Sequence, residues 1–132
     1  MTEMPQGVRP LSPHLQIYRL RINMLMSILH RITGAALYLG TLLLAAWLMG
    51  IAMGEEAYGW VAWFLGHPLG KLVLIGYSFA LLHHMLGGIR YLIWDTGRGF
   101  AIWQVDLMCW LTIAASVALT VVIWALALLH GA

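Results

Sequence analysis

The sequence is short of charge: 9% of its 132 residues are charged, whereas 62% are hydrophobic. A soluble domain carries about a quarter charged residues, and a domain of this size could not hide so much apolar surface from water. The deficit therefore excludes an ordinary soluble domain and favours the lipid bilayer as the solvent.

Cysteine is almost absent as well, since Cys109 is the only one. A single cysteine forms no internal disulfide and cannot hold zinc or an iron–sulfur cluster alone. No Gly-x-Gly-x-x-Gly fingerprint is present, which argues against a dinucleotide cofactor. The net charge is +2 and the pI about 9.0, but no basic patch is interleaved with aromatic residues. Nucleic acid is therefore not an expected partner.

What the sequence has instead is a set of long apolar runs, at residues 32–54, 72–89 and 107–129. Each is close to the roughly 20 residues that cross a bilayer as a helix, and only helices or closed barrels satisfy their backbone in lipid. The runs are too long for strands. The sequence therefore predicts an all-α integral membrane protein with an N-terminal segment, 1–24, and a transmembrane domain, 25–132. Its helices are expected near residues 25–53, 68–94 and 106–129.

The distribution of basic residues predicts the orientation of these helices. Arginines cluster before the first span and between the second and third spans, whereas the first loop carries mainly Glu55 and Glu56. Basic residues favour the cytoplasmic side. We therefore expect the N-terminus on the cytoplasmic side of a bacterial inner membrane, or on the matrix side of a mitochondrial inner membrane. The arginines are Arg9, Arg19, Arg21, Arg31, Arg90 and Arg98.

The stretch SILHRITG, residues 27–34, carries a hydroxyl, an imidazole and a guanidinium at the mouth of the first span. On a helix Ser27, His30 and Arg31 lie within an arc of about 100°. Ionisable groups in a membrane helix are expensive and often functional, which favours a ligand or a partner helix. The alternative is that Arg31 reaches to lipid headgroups while His30 lies at the interface.

The stretch LLHHMLGGIRY, residues 81–91, places a histidine inside the hydrocarbon. His84 lies about 9 Å below Arg90 along the helix. Small residues one turn away, Ala80 and Gly87 or Gly88, leave room for a flat group such as a porphyrin. Imidazole is a common axial ligand of haem iron. The alternative is a histidine that is hydrogen-bonded to a neighbouring helix.

Only one haem ligand is expected from this chain. His83 and His84 are about 100° apart on a helix and cannot bind opposite faces of one haem. His30 lies nearer the membrane boundary, where the haem edge with its propionates would be. If His84 binds haem as one of two histidines, the other must come from another chain.

These motifs resemble a known family. RPLSPHLQIY at residues 9–18, SILHRITG at 27–34 and HMLGGIRYLIWD at 84–95 are similar to sequences of the large cytochrome b membrane-anchor subunits of succinate dehydrogenase, complex II. The resemblance covers almost the whole chain. It implies a haem-containing helix bundle that is shared with a second, small anchor subunit.

The resemblance also implies roles for single residues. His84 matches the axial ligand of haem b, whose second ligand comes from the small anchor subunit. Ser27 and Arg31 match residues that line the ubiquinone site, and His30 and Arg31 match positions near the haem propionates. Asp95 matches an aspartate at the cytoplasmic end of the second span. Many relatives have histidine where this chain has Tyr91, which is a departure from the pattern.

The expected function is that of a membrane anchor that is not catalytic alone. By resemblance, a flavoprotein subunit oxidises succinate, an iron–sulfur subunit relays the electrons, and ubiquinone is reduced near this chain. A haem-free quinone-binding anchor of the same complex is one alternative. A small membrane transporter or scaffold subunit is another, although no inverted repeat is visible.

Overall fold

The structure is a computed structural model that describes residues 13–130. Over this range the regular elements are a short 3-10 turn, His14–Ile17, and helices α1, Ile22–Met53, α2, Glu55–Gly66, α3, Pro68–Asp95, and α4, Ile102–Leu129. Residues 1–12, which are half of the N-terminal segment and include Arg9 and the first four residues of the 9–18 motif, lie outside the described residues.

Three of the helices, α1, α3 and α4, are long and apolar enough to cross a membrane. The all-α fold with three spans that the sequence predicts is confirmed. α1 begins at Ile22 and α4 at Ile102, earlier than the expected residues 25 and 106. Helix α4 has 28 residues and is therefore about 42 Å long. This length exceeds the roughly 30 Å of the hydrocarbon core, so the first turn of α4 extends into the polar interface.

Helix α2 was not expected from the sequence, because 12 residues are too few to cross the bilayer. Gly54 separates α2 from α1 with φ 101°, a conformation that side-chain-bearing residues rarely adopt. Glu55 and Glu56 in the first turn of α2 favour its start, since carboxylates stabilise a helix N-terminus. Trp60 and Trp63 on α2 are exposed, as expected for aromatic residues at a membrane interface.

The helices pack through glycines rather than through a large apolar core. α3 lies against both α1 and α4. At the crossing of α1 and α3, a Cβ on Gly40 would overlap the ring of Tyr77. Between α2 and α3, a Cβ on Gly70 would overlap the carbonyl of Phe64. Small residues let membrane helices approach closely. Most large apolar side chains remain exposed, which leaves a wide surface for lipid or for other subunits.

A row of small hydroxyl residues on α4 is buried, and it contacts α3 through Ser116. The Oγ atoms of Thr112 and Thr120 donate to carbonyls one turn earlier in α4, and so does that of Ser116. All three residues are buried. Thr112, Ser116 and Thr120 therefore form a helix-packing face.

Candidate functional site

Two histidines meet face to face between α1 and α3. The rings of His30 and His84 have centroids 3.9 Å apart and an interplanar angle of 6°. A Cβ on Gly34 would lie 3.1 Å from Cε1 of His84, and a Cβ on Gly87 would lie 2.7 Å from Nδ1 of His30. These two glycines therefore provide the space in which the imidazoles stack. Gly88, the other candidate for a gap beside His84, has no atom within 4 Å of its Cβ position.

One nitrogen of His84 is occupied by the protein and the other is not. Nδ1 of His84 lies 3.1 Å from the backbone oxygen of His30 and 3.3 Å from Oγ1 of Thr33. A carbonyl only accepts, so this contact favours the tautomer with the proton on Nδ1. Nε2 then keeps its lone pair. An imidazole whose far N–H is fixed by a backbone carbonyl is the usual arrangement of a metal-binding histidine.

The neighbouring His83 points away from this pair. It is 1% exposed, and its Nδ1 lies 3.2 Å from Oγ of Ser116 on α4. Its ring also stacks on that of Phe79, with centroids 5.5 Å apart. Nε2 of His83 is buried without a hydrogen-bond partner. Because His83 is enclosed between α3 and α4, it offers no open side to a large cofactor, whereas His84 is half-buried.

A cavity of about 300 Å³ lies on the side of His30 that faces the end of α3. The ring of Tyr91 contacts His30 edge-on, with centroids 5.1 Å apart, and forms part of the cavity wall. Ser27 of α1 also lines the cavity. The cavity therefore joins the start of α1 to the end of α3. Its lining residues are Asn23, Ser27, Arg90, Tyr91, Trp94, Phe100 and Val105.

The structure separates the residues that the sequence groups on one face of the first span. Ser27 and His30 are half-buried towards α3, whereas Arg31 is exposed. Tyr38, about two turns after Arg31 on α1, is 77% exposed. Arg31 is not among the cavity-lining residues. In this chain it faces lipid or another subunit.

Sequence reasoning missed the burial of Arg90, which it used only as a topology signal and as a depth marker for His84. Arg90 is 3% exposed, and its Nη1 donates to Sγ of Cys109 over 3.3 Å. Its guanidinium carbon lies 5.4 Å from the ring centroid of Tyr91 and 5.2 Å from that of Trp94. A signal was available: Ala80, His83, Gly87 and Arg90 recur at the spacing of one buried helix face, and all four are buried.

The residues fit a haem that is bound from one side. His84 has an available Nε2, and glycines on both helices make room for its ring. Across residues 13–130 no three His, Cys, Asp or Glu side chains come together as a metal site. A single imidazole at the edge of a helix pair is the donor set that remains, so any second protein ligand to a haem held here would come from another chain.

The fold and the histidine pair define a class of protein, a small helical membrane subunit. Its exposed apolar surface and its one-sided site are suited to assembly with other chains. A family profile described as succinate dehydrogenase/fumarate reductase transmembrane subunit matches residues 6–123. The chain belongs to this family, which confirms the resemblance of its motifs. It is thus a transmembrane subunit of an oxidoreductase complex.

Individual relatives agree with this membership. The succinate dehydrogenase cytochrome b556 subunit of Rickettsia felis is 39% identical over 127 residues, which cover 94% of this chain and 99% of the relative. The subunit of the same name from Paracoccus denitrificans is 40% identical over 121 residues, which cover 92% of this chain and 93% of the relative. The mitochondrial succinate dehydrogenase cytochrome b560 subunit of Sus scrofa is 40% identical over 117 residues, which cover 84% of this chain and 69% of the relative.

Proposed function

We propose that this chain is the large membrane anchor of a succinate:quinone oxidoreductase. It binds haem b together with a small anchor subunit, forms part of the ubiquinone-reduction site and docks the iron–sulfur and flavoprotein subunits. The observation that carries the proposal is the fixed orientation of His84, whose Nδ1 lies against the backbone oxygen of His30. Relatives that are named cytochrome b subunits support it.

His84 would hold the haem iron through Nε2. When bound, haem b supplies a one-electron carrier within the membrane. The stacked His30 ring keeps the His84 ring from rotating, and His30 and Arg31 are proposed to lie near the propionates. Arg31 is exposed, so its charge is free to meet a carboxylate at the surface that a partner subunit covers.

Quinone reduction takes two electrons and two protons, and this chain supplies neither electron. The electrons come from the iron–sulfur subunit, and water supplies the protons. Ser27 donates a hydrogen bond to a quinone oxygen, and Arg31 provides a permanent positive charge from the exposed face that a partner subunit covers. A fixed cation stabilises the negative charge that builds up on the oxygen, more strongly where water is scarce. Arg stays protonated, so it acts through its charge and not as a proton donor.

The proposed orientation puts the N-terminus and the α3–α4 connection on the cytoplasmic or matrix side of the inner membrane. Arg19, Arg21 and Arg98 are exposed there, which is consistent with the positive-inside rule. Asp95 is the last residue of α3 and is also exposed at this end. The cavity with Ser27 opens near the same end, where the iron–sulfur subunit is proposed to dock.

The test is purification of the whole complex from native membranes, with partner identification, an absorption spectrum and succinate:ubiquinone reductase activity on one sample. His84→Leu is expected to remove the haem band from the assembled complex. His83→Leu is the matched control and should keep the band, because His83 faces α4. A wild-type complex that reduces quinone but carries no haem would indicate a haem-free anchor. A wild-type preparation without flavoprotein and iron–sulfur partners would contradict the anchor function.

A further inference from the structure

Arg90 is a buried cation whose charge is not matched by the described part of the chain. It is 3% exposed in a membrane-spanning helix, and no carboxylate among residues 13–130 forms an ion pair with it. Its Nε is buried without a hydrogen-bond partner, and Nη1 contacts only the Cys109 thiol, a weak acceptor. A buried charge without acceptors is costly, so the guanidinium is suited to a ligand that brings an oxygen to it.

The cavity beside Arg90 has the form and chemistry of a site for a flat ring with oxygen substituents. Its volume of about 300 Å³ lies at the lower end of small-molecule pockets. Tyr91 and Trp94 provide aromatic surfaces, while Ser27 and Asn23 provide a hydroxyl and an amide. A ring that lies against the aromatic residues brings its edge oxygens towards the polar side chains.

The haem carboxylates are a poorer match for this cavity. The ring of His30 lies flat on His84 and also contacts Tyr91, so it stands between the proposed iron ligand and the cavity. His30 is therefore the residue nearest to the haem edge, and Arg90 lies beyond it on the quinone side.

We infer that Arg90 contacts the quinone: its guanidinium donates a hydrogen bond to a quinone oxygen in the cavity that Ser27 lines. This inference rests on the proposed function. Arg90 then provides the buried positive charge at the ring, whereas the exposed Arg31 acts from the face that a partner subunit covers. The aromatic contacts with Tyr91 and Trp94 hold the guanidinium in place before the quinone arrives.

The experiment compares Arg90→Gln and Arg90→Lys in the assembled complex with two electron acceptors. A short-chain ubiquinone reports on the membrane site, and phenazine methosulfate, a soluble acceptor, reports on the partner subunits. A hydrogen bond from a charged group contributes enough that Arg90→Gln should lower kcat/KM for the quinone about ten- to one-hundred-fold. The rate with phenazine methosulfate should stay unchanged. Arg90→Lys keeps the charge but loses the planar fork, so an intermediate value is expected.

Arg98→Gln is the matched control, because Arg98 is an exposed cation at the same end of the bundle and does not line the cavity. It should retain wild-type quinone kinetics.

If Arg90→Gln does not assemble, Arg90→Lys decides the question through its KM for the quinone. Unchanged quinone kinetics in an assembled Arg90 variant would overturn the inference. A shifted haem reduction potential with normal quinone kinetics would also overturn it, since it would assign Arg90 to a haem carboxylate. A wild-type complex that fails to reduce quinone would instead refute the proposed function.

Discussion

His30 contacts His84 twice, once with its side chain and once with its backbone. The two rings are parallel at a centroid separation of 3.9 Å, and the His30 carbonyl oxygen lies 3.1 Å from Nδ1 of His84. One residue of α1 therefore sets both the plane and the tautomer of the proposed haem ligand on α3. The space for this contact comes from Gly34 and Gly87, so the glycines belong to the site as much as the histidines do.

Gly87→Ala is expected to disturb this histidine pair. The new Cβ would lie 2.7 Å from Nδ1 of His30 and would push the ring off His84. In the assembled complex we expect a lower haem content or a shifted haem band. Gly88→Ala is the control, because its Cβ position is open and alanine favours a helix over glycine. The prediction is wrong if Gly87→Ala and Gly88→Ala give the same spectrum and haem content.

Ser116→Ala is expected to destabilise the α3–α4 pair through His83. The substitution leaves the buried Nδ1 of His83 without its partner on α4. An unsatisfied buried group costs about 1–3 kcal/mol, although hydrogen bonds between membrane helices average nearer 0.6 kcal/mol. The thermal midpoint of the purified complex should fall, while quinone kinetics in the folded complex stay normal.

A double-mutant cycle isolates the contribution of this pair. His83→Leu removes the imidazole on α3 that contacts Ser116. The loss of stability in the double variant with Ser116→Ala should therefore be smaller than the sum of the losses in the two single variants. Thr120→Val is a suitable control on the same face, since the Oγ1 of Thr120 donates to a carbonyl of its own helix. Strict additivity between His83→Leu and Ser116→Ala would show that the contact contributes nothing.

Hydropathy predicts the three spans because each contains an apolar run of about the length that crosses a membrane, with no Asp, Glu, Lys or Arg inside it. The 12-residue α2 was missed because its length overlaps that of an ordinary loop. The start of α4 was placed late because the apolar run begins only at residue 107, whereas the helix begins at Ile102. Helix ends outside the hydrocarbon are set by local capping and by solvent, which a window of hydropathy does not report.

For the site, spacing on a helix predicts which residues share a face but not what the face meets. Ser27, His30 and Arg31 lie on one arc, yet the first two turn towards α3 and Arg31 turns outward. The stack of His30 on His84 depends on the crossing of α1 and α3, which is decided by glycines on both helices. The burial of Arg90 follows from its contact with Cys109 on α4. Helical spacing groups Arg90 with the buried residues Ala80, His83 and Gly87, but it does not report which residue of another helix this face meets.

Ser27→Ala is expected to weaken quinone binding without affecting the partner subunits. The change removes a hydroxyl from the cavity wall and leaves the helix unchanged. One neutral hydrogen bond is worth about 0.5–1.5 kcal/mol, so kcat/KM for a short-chain ubiquinone should fall by up to about tenfold. Thr41→Val is the control, because Thr41 is an exposed hydroxyl of α1 that bonds to the carbonyl of Tyr38. Normal quinone kinetics in Ser27→Ala would remove Ser27 from the site.

Gly40→Ala tests the crossing of α1 and α3 on the other side of the histidine pair. A Cβ on Gly40 would overlap the Tyr77 ring, so the helices must separate or the ring must turn. Overpacking of this kind costs about 1–3 kcal/mol, which should lower the thermal midpoint of the purified complex by several degrees. Gly76→Ala introduces the same methyl group into open space and should leave the midpoint unchanged. Tyr77→Leu removes the ring, so it should restore part of the loss when it is combined with Gly40→Ala. If the double variant is no more stable than Gly40→Ala alone, the Gly40–Tyr77 contact does not control the approach of the two helices.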